Sequence, residues 1–168
     1  IKASPQFSSA LYSILYNSNE WLDTSFPTAR PKSWWNPWLG GILTLPNEMT
    51  TRSLAEEHRE ADFVQLMDSV GNTWTGIVIR TNIEKNEKFK GLKMAQYFLM
   101  LPGAPVLCHT TEIIQETGYY FSSVPFMTDM YFKLDHEYKN SMVTIETHSG
   151  QWLTYKAVKD YAMRTEET

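Results

Sequence analysis

The segment from residue 91 to residue 114 restricts the fold of this chain more than any other. In residues 91–101 the apolar side chains alternate, with Met94, Phe98 and Met100 on one side and Ala95, Tyr97, Leu99 and Leu101 on the other. Because both sides are apolar, we expect a strand in the middle of a sheet, covered on both faces. Pro102-Gly103-Ala104-Pro105 predicts a tight turn, and residues 106–114 predict an antiparallel partner strand.

Other segments show the same two-residue period. Strands are predicted for residues 10–16, 20–23, 74–83, 124–134, 142–147 and 152–158. Ser53 and Glu56 fit a capping box, so residues 51–62 predict either one helix or a polar loop. Prolines and glycines predict a loop for residues 26–45, and the charged tail 163–168 predicts frayed chain. The pattern favours a mainly β fold, an antiparallel β-sandwich with at most one short helix.

Length and charge narrow the class of protein. The chain has 168 residues, which predicts a single sandwich domain over residues 1–168. Because it begins at Ile1, we expect it to be a fragment or a subunit of a larger protein. A net charge of −4 argues against nucleic acid as a partner, since phosphate binding needs a basic surface. Apolar runs of about 18 residues are absent, so the sequence predicts a soluble chain with no membrane partner.

The sequence contains no motif for a metal or a cofactor. It lacks zinc-ligand spacing, a Gly-rich phosphate loop and a nucleophile elbow, so we expect no metal, no cofactor and no identifiable catalytic residue. A single cysteine, Cys108, excludes an internal disulfide. Its neighbour His109 would lie on the opposite face of a strand, so the two side chains are not expected to meet.

The order of these features resembles the N-terminal part of the galactose-mutarotase-like supersandwich family. The resemblance rests on Glu20-Trp21-Leu22, on a Trp-rich loop with Gly40-Gly41, and on the strand pair split by Leu101-Pro102-Gly103-Ala104-Pro105. It covers about residues 7–134. It implies a supersandwich-like fold and a carbohydrate-active enzyme, as its catalytic or its accessory domain. The late strand that carries the catalytic glutamate of mutarotases has no counterpart in this chain.

Aromatic residues mark the main candidate site. Six Trp and nine Tyr exceed what a core of this size needs, and three indoles lie in one Pro-Gly loop. There Trp34, Trp35 and Trp38 can stack on sugar rings while Asn36 binds a hydroxyl. The alternatives are that these indoles pack against another domain or subunit, or close one end of the sandwich.

Three polar residues are secondary candidates for ligand contacts. His58 lies in a charged segment with Glu56, Glu57, Glu60 and Asp62, whose ordinary interpretation is a solvated surface. His109 and Glu112 follow the Pro-Gly turn and should point to opposite faces of their strand. A hydrogen-bonded histidine at a sheet surface is the simpler interpretation of His109.

Two functions therefore stand beside each other. The first is a carbohydrate-binding or carbohydrate-active module that uses the aromatic loop. The second is a structural or interface domain of a larger enzyme, with a partner domain or a second copy covering its exposed rings. A weaker third is a lipocalin-type barrel around an apolar ligand.

Overall fold

The computed structural model describes residues 1–22, 41–116, 126–132, 142–157 and 163–166, the backbone alone for 157 and 163–166. The described chain is mainly β and antiparallel. In chain order its elements are β1 (Lys2–Ser4), a 3-10 turn (Pro5–Phe7), β2 (Ala10–Ser13), β3 (Leu15–Tyr16), β4 (Asn19–Glu20), β5 (Gly41–Pro46), α1 (Thr51–Ala55), β6 (His58–Met67), β7 (Thr73–Asn82), β8 (Leu92–Met100), β9 (Leu107–Gln115), β10 (Phe126–Tyr131), β11 (Met142–Glu146), β12 (Trp152–Ala157) and β13 (Met163–Glu166).

The chain forms two compact units, Ile1–Phe132 and Lys133–Thr168. In the first unit, one sheet has the strand order β1-β2-β5-β10 and the other is the meander β6-β7-β8-β9. The second unit contains the antiparallel sheet β11-β12-β13. The predicted hairpin over residues 142–158 is confirmed as β11 and β12.

The two four-stranded sheets pack face to face, which makes the first unit a β-sandwich. Leu11 and Ile42 of the first sheet form one apolar cluster with Ile79 and Phe98 of the second. Between the same sheets, the Ser9 and Thr81 hydroxyls lie 3.1 Å apart. Each sheet thus presents an inner face to the other and has an outer face on its far side.

The predicted strands over residues 74–83, 91–101 and 106–114 are confirmed as β7, β8 and β9. The predicted position of β8 inside a sheet is confirmed as well, since it pairs with β7 on one side and β9 on the other. Its expected burial on both faces is not, because Lys93 is exposed and Ala95 and Tyr97 are only partly buried. Ala104 closes the intervening turn by donating its amide to the Leu101 carbonyl at 3.1 Å.

Of the two alternatives predicted for residues 51–62, the helix is right only for Thr51–Ala55, and its capping box is formed by Thr50 and Ser53 rather than by Ser53 and Glu56. Thr50 caps α1, accepting from the Ser53 amide at 3.1 Å, and the helix ends at Ala55. From His58 the chain is strand β6, which pairs with β7 over its whole length. A short helix with few apolar residues on one side is only marginally stable in water. As a strand, the same segment forms backbone hydrogen bonds to β7 at every second residue, so the strand is favoured.

Two further segments differ from the sequence predictions. Residues 41–46 were placed partly in a Pro-Gly loop, yet they form β5, which is fully buried. The tail was expected to fray, but β13 pairs with β12. The glycine that suggested a loop is required by the strand itself: the φ of Gly41 is +90°, and a Cβ there would lie 2.1 Å from the Leu11 carbonyl oxygen.

Glu57 is buried, which corrects its interpretation as part of a solvated surface. Only 5% of the residue is exposed. Its carboxylate accepts the amides of Glu84, Lys85 and Asn86 at 2.7, 2.9 and 2.9 Å. This side chain therefore fixes the turn between β7 and β8, and the charged residues around it are what concealed its role in the sequence.

We predict that Glu57→Gln lowers the free energy of unfolding by about 1.5–3 kcal/mol, because a carboxamide inside the protein cannot accept from all three backbone amides. Urea unfolding followed by circular dichroism measures the change. Glu56→Gln is the matched control: Glu56 is exposed and faces Arg52 at 3.6 Å, so its loss should cost less than about 0.5 kcal/mol. Equal effects of the two variants would contradict the role given to Glu57.

Candidate functional site

The outer face of the β6–β9 sheet carries the described candidate site. Gln96 and His109 point to the inner face, where both contact Thr44 of β5. Residues one position away along each strand point outward, since side chains alternate across a sheet. Tyr97 and Glu112 therefore lie on the outer face.

Strand register arranges the outer-face residues in four rows. From β6 to β9 the rows are His58, Asn82, Lys93 and Ile114; Glu60, Arg80, Ala95 and Glu112; Asp62, Val78, Tyr97 and Thr110; and Val64, Gly76, Leu99 and Cys108. The small side chain of Ala95 thus has longer polar or aromatic side chains on all four sides.

Two polar pairs flank Ala95. The Tyr97 hydroxyl donates to Glu112 Oε2 at 3.2 Å, and Arg80 contacts Asp62 at 2.9 Å. Partial burial raises the pKa of the Tyr97 hydroxyl, and the hydrogen bond to Glu112 raises it further. The phenol therefore stays protonated at neutral pH and orients the carboxylate. Arg80 uses one of its N–H groups on Asp62 and keeps a planar array of donors.

Trp74 lies further along β7 on the same face. Its indole N–H donates to Asp68 Oδ2 at 3.0 Å, and Asn72 donates to the same carboxylate. These bonds, with that of the Val70 amide, lower the pKa of Asp68 to about 2. The carboxylate is thus ionised at any ordinary pH and holds the indole in one orientation.

His109 is separated from Glu112 by its position between the sheets. Its Nδ1 lies 3.1 Å from the Tyr97 carbonyl oxygen and its Nε2 lies 2.9 Å from Thr44 Oγ1. A carbonyl only accepts, so Nδ1 carries the hydrogen in the neutral ring and Nε2 accepts from Thr44. The ring stacks on Phe98 with centroids 4.7 Å apart. As predicted, His109 and Cys108 lie on opposite faces.

The other predicted site residues are placed as follows. His58 is exposed at the start of β6, on the outer face but at the opposite edge from Glu112. Trp34, Trp35, Asn36 and Trp38 lie outside the described residues. The structure therefore puts two of the seven predicted residues, His58 and Glu112, on one surface without bringing them into contact.

Sequence reasoning missed Arg80, Ala95, Tyr97 and Asp62 as a group. The signal was available once the strands were paired: in a meander with short turns, each row of the sheet collects one residue per strand. Asp62 could not be placed beside Arg80 because residues 51–62 were predicted to be either a helix or a polar loop, and not part of a strand.

A second feature is a groove of about 630 Å³ on the inner side of β6. Ile1, Phe63, Ile77 and Met100 line it. Phe63 is 93% exposed and Met67, further along the same side of β6, is 75% exposed. The first part of β6 is covered by the 3-10 turn, where Arg59 donates to the Pro5 carbonyl, whereas Phe63 and Met67 lie in its uncovered second part.

Neither a metal cluster nor a membrane helix is present in the part of the chain that the structure describes. There, His, Cys, Asp and Glu side chains form no group of three that could hold a metal ion. The described helical segments are also too short to cross a membrane.

Comparisons with known proteins give no relative for this chain. No protein-family model, no curated protein and no solved structure matches it.

We predict that the first unit becomes less stable as the pH falls from 7 to 5. Burial lowers the pKa of His109 from its ordinary 6.5, although the bond to Tyr97 opposes this. The unfolded chain therefore takes up a proton at higher pH than the folded chain, and stability is lost as the pH drops below 6.5. Urea midpoints at several pH values measure the slope.

His109→Gln should flatten this slope, whereas His148→Gln, a change in the exposed β11–β12 turn, should leave it intact. An unchanged slope in His109→Gln would show that other groups cause the pH dependence.

Proposed function

We propose that this chain is a carbohydrate-binding β-sandwich module, and that one sugar ring binds over Ala95 on the outer face of the β6–β9 sheet. The observation that carries the proposal is the small Ala95 between the Tyr97–Glu112 pair and the Arg80–Asp62 pair. Ala95 is partly exposed.

The chemistry of these four side chains suits a sugar. A pyranose offers hydroxyl groups that both donate and accept, and its axial C–H groups form an apolar patch. Glu112 accepts from two hydroxyls through its carboxylate, and Arg80 donates to others with defined geometry. Tyr97 supplies an aromatic edge or face for the C–H patch. Such a surface with a few placed polar groups is typical of ligand sites.

Two features of the sequence support the same proposal. Residues 91–107, which resemble the core strand pair of the galactose-mutarotase-like family, form β8 and the start of β9, the strands that carry Ala95, Tyr97 and Glu112. The indoles of Trp34, Trp35 and Trp38, with Asn36, remain part of the proposal as a second stacking surface. We assign no catalytic step to the module.

We predict that Ala95→Leu weakens binding of a neutral polysaccharide such as glucomannan by about tenfold or more, because the larger side chain fills the space over β8. Affinity gel electrophoresis and calorimetry measure the loss. The matched control is Ala61→Leu, an exposed alanine on the inner face of the same sheet, which should bind as the wild type does. Circular dichroism confirms that both variants fold. Equal binding by all three proteins would rule out this face.

The second candidate function is an interface domain, and the exposure of Phe63 and Met67 favours it. Monomeric proteins rarely leave such residues together in solvent beside an apolar groove. A polypeptide packed along the inner side of β6 would cover both side chains.

For this second function we predict that the isolated chain associates. Light scattering should give a mass of at least two chains of 19.5 kDa each, and replacing Phe63 and Met67 together by Ser should return the monomer. Val70→Ser is the control, because Val70 is 81% exposed but lies in the β6–β7 turn. A wild-type monomer at all concentrations would argue against an interface between copies of this chain.

A further inference from the structure

We infer that a second copy of this chain pairs along the free edge of strand β6, antiparallel, with Phe63 of one copy opposite Phe63 of the other. The inference rests on the second proposed function, that of an interface domain, and deepens it by naming the partner and the contact. Among the described residues β6 pairs with β7 alone, so its other edge presents backbone groups without a strand partner.

Strand β6 lacks the features that usually prevent an edge strand from pairing with another chain. It is ten residues long, contains neither proline nor lysine, and keeps an unbroken register with β7. Its charged residues lie in the first half, whereas residues 63–67 are uncharged and Phe63 and Met67 are largely exposed. A long and regular apolar edge of this kind is a template for a further strand.

The hydrogen bonds at the strand ends show which backbone groups of β6 face the free edge. The Asp68 amide donates to the Asn72 carbonyl at 3.0 Å, and these residues continue the register of β6 with β7. Residues of an antiparallel strand bond alternately to one side and to the other. The even-numbered residues of β6 therefore bond to β7, and the odd-numbered ones point their backbone groups to the free edge. The Ile83 amide, which donates to the Leu92 carbonyl at 2.9 Å, gives the same alternation from the β8 side of β7.

This alternation limits the registers that two copies can adopt, and charge selects one of them. Odd residues must lie opposite odd ones, and four such two-fold registers pair at least seven residues of β6. Three of them place carboxylates directly opposite each other: Glu60 and Asp62, Asp62 and Asp62, or Glu60 and Asp68. Like charges in that position are destabilising. The fourth is centred on Phe63, opposes no like charges, and places His58 opposite Asp68 just beyond the strand.

The register centred on Phe63 also brings the exposed apolar residues together. The two Phe63 rings become cross-strand neighbours on the inner side of one continuous sheet. Met67 lies opposite Arg59 of the other copy, beside the 3-10 turn that covers that part of β6. The two Asp62 side chains are only diagonal neighbours, and each contacts Arg80 of its own chain at 2.9 Å. Because the pairing is two-fold, it uses both free β6 edges and stops at two copies.

The first test blocks the edge and leaves the apolar side chains in place. Gln65 has its amide on the free edge, so Gln65→Pro removes no hydrogen bond to β7. We expect the full wild-type chain to form a dimer, and Gln65→Pro to raise its dissociation constant by about tenfold or more. Gln65→Ala, the matched control, should dimerise as the wild type does. Light scattering over a concentration series measures the mass, and circular dichroism shows that the variants fold.

The second test reads the register by disulfide cross-linking in a Cys108→Ser background, which removes the free native thiol. Ala61 and Gln65 are exposed, and each lies opposite the other residue of the partner copy in the proposed register. Opposite residues of a hydrogen-bonded pair are about 5.5 Å apart between Cα atoms, which suits a disulfide. Within one chain the two residues are about 13 Å apart and cannot be bridged. We expect the double variant Ala61→Cys/Gln65→Cys to form covalent dimers on oxidation, and each single variant to form none.

The outcomes separate the inference from the function on which it rests. Association that persists in Gln65→Pro, or a mass above two chains, overturns the two-fold strand pairing and leaves an interface domain standing. Cross-linking by either single variant overturns the register centred on Phe63, as does a wild-type dimer whose double variant does not cross-link. A wild-type monomer at all concentrations overturns both the inference and an interface between copies. If Gln65→Pro does not fold, the cross-linking result decides alone.

Discussion

The sandwich depends on the hydrogen bonds that meet at Thr44. Its amide donates to Gln96 Oε1 at 2.6 Å, and its hydroxyl lies 2.9 Å from both His109 Nε2 and Thr128 Oγ1. Gln96 is buried with no exposed surface. Buried polar groups are costly without partners, so these bonds hold the two sheets at one relative position. That position decides which residues of β8 and β9 point outward, and therefore the composition of the candidate site.

The fold could be predicted where local patterns and final pairing agree. Strands β7, β8 and β9 show a clear two-residue period and are joined by short turns, so sequence alone located them. It failed for β5 and β6. Gly41 begins β5, but a glycine at that position suggested a loop. Strand β6 is mostly exposed, so it lacks the alternation of buried and exposed residues that identifies a strand in a sequence.

The site could be predicted only residue by residue. Alternation along one strand correctly separated Glu112 from His109, because it needs no knowledge of neighbouring strands. The grouping of Arg80, Ala95 and Glu112 depends on the register of three strands, which a single sequence does not specify. The charge of a residue also failed to predict its exposure. Glu57 and Glu60 lie three residues apart, yet Glu57 is buried and holds the β7–β8 turn, whereas Glu60 lies on the outer face.

The strand order of the first sheet has a consequence for how the chain folds. The meander β6–β9 pairs only strands that follow one another, so its loops close at small entropic cost. In the first sheet, β5 pairs with β10, which comes much later in the chain: Thr44 and Thr128, whose hydroxyls are in contact, are 84 residues apart in sequence. During synthesis the meander can thus be complete while one edge of β5 still has no strand beside it. We expect the slow step of folding to be the arrival of β10, and the species that accumulates before it to carry an open β5 edge.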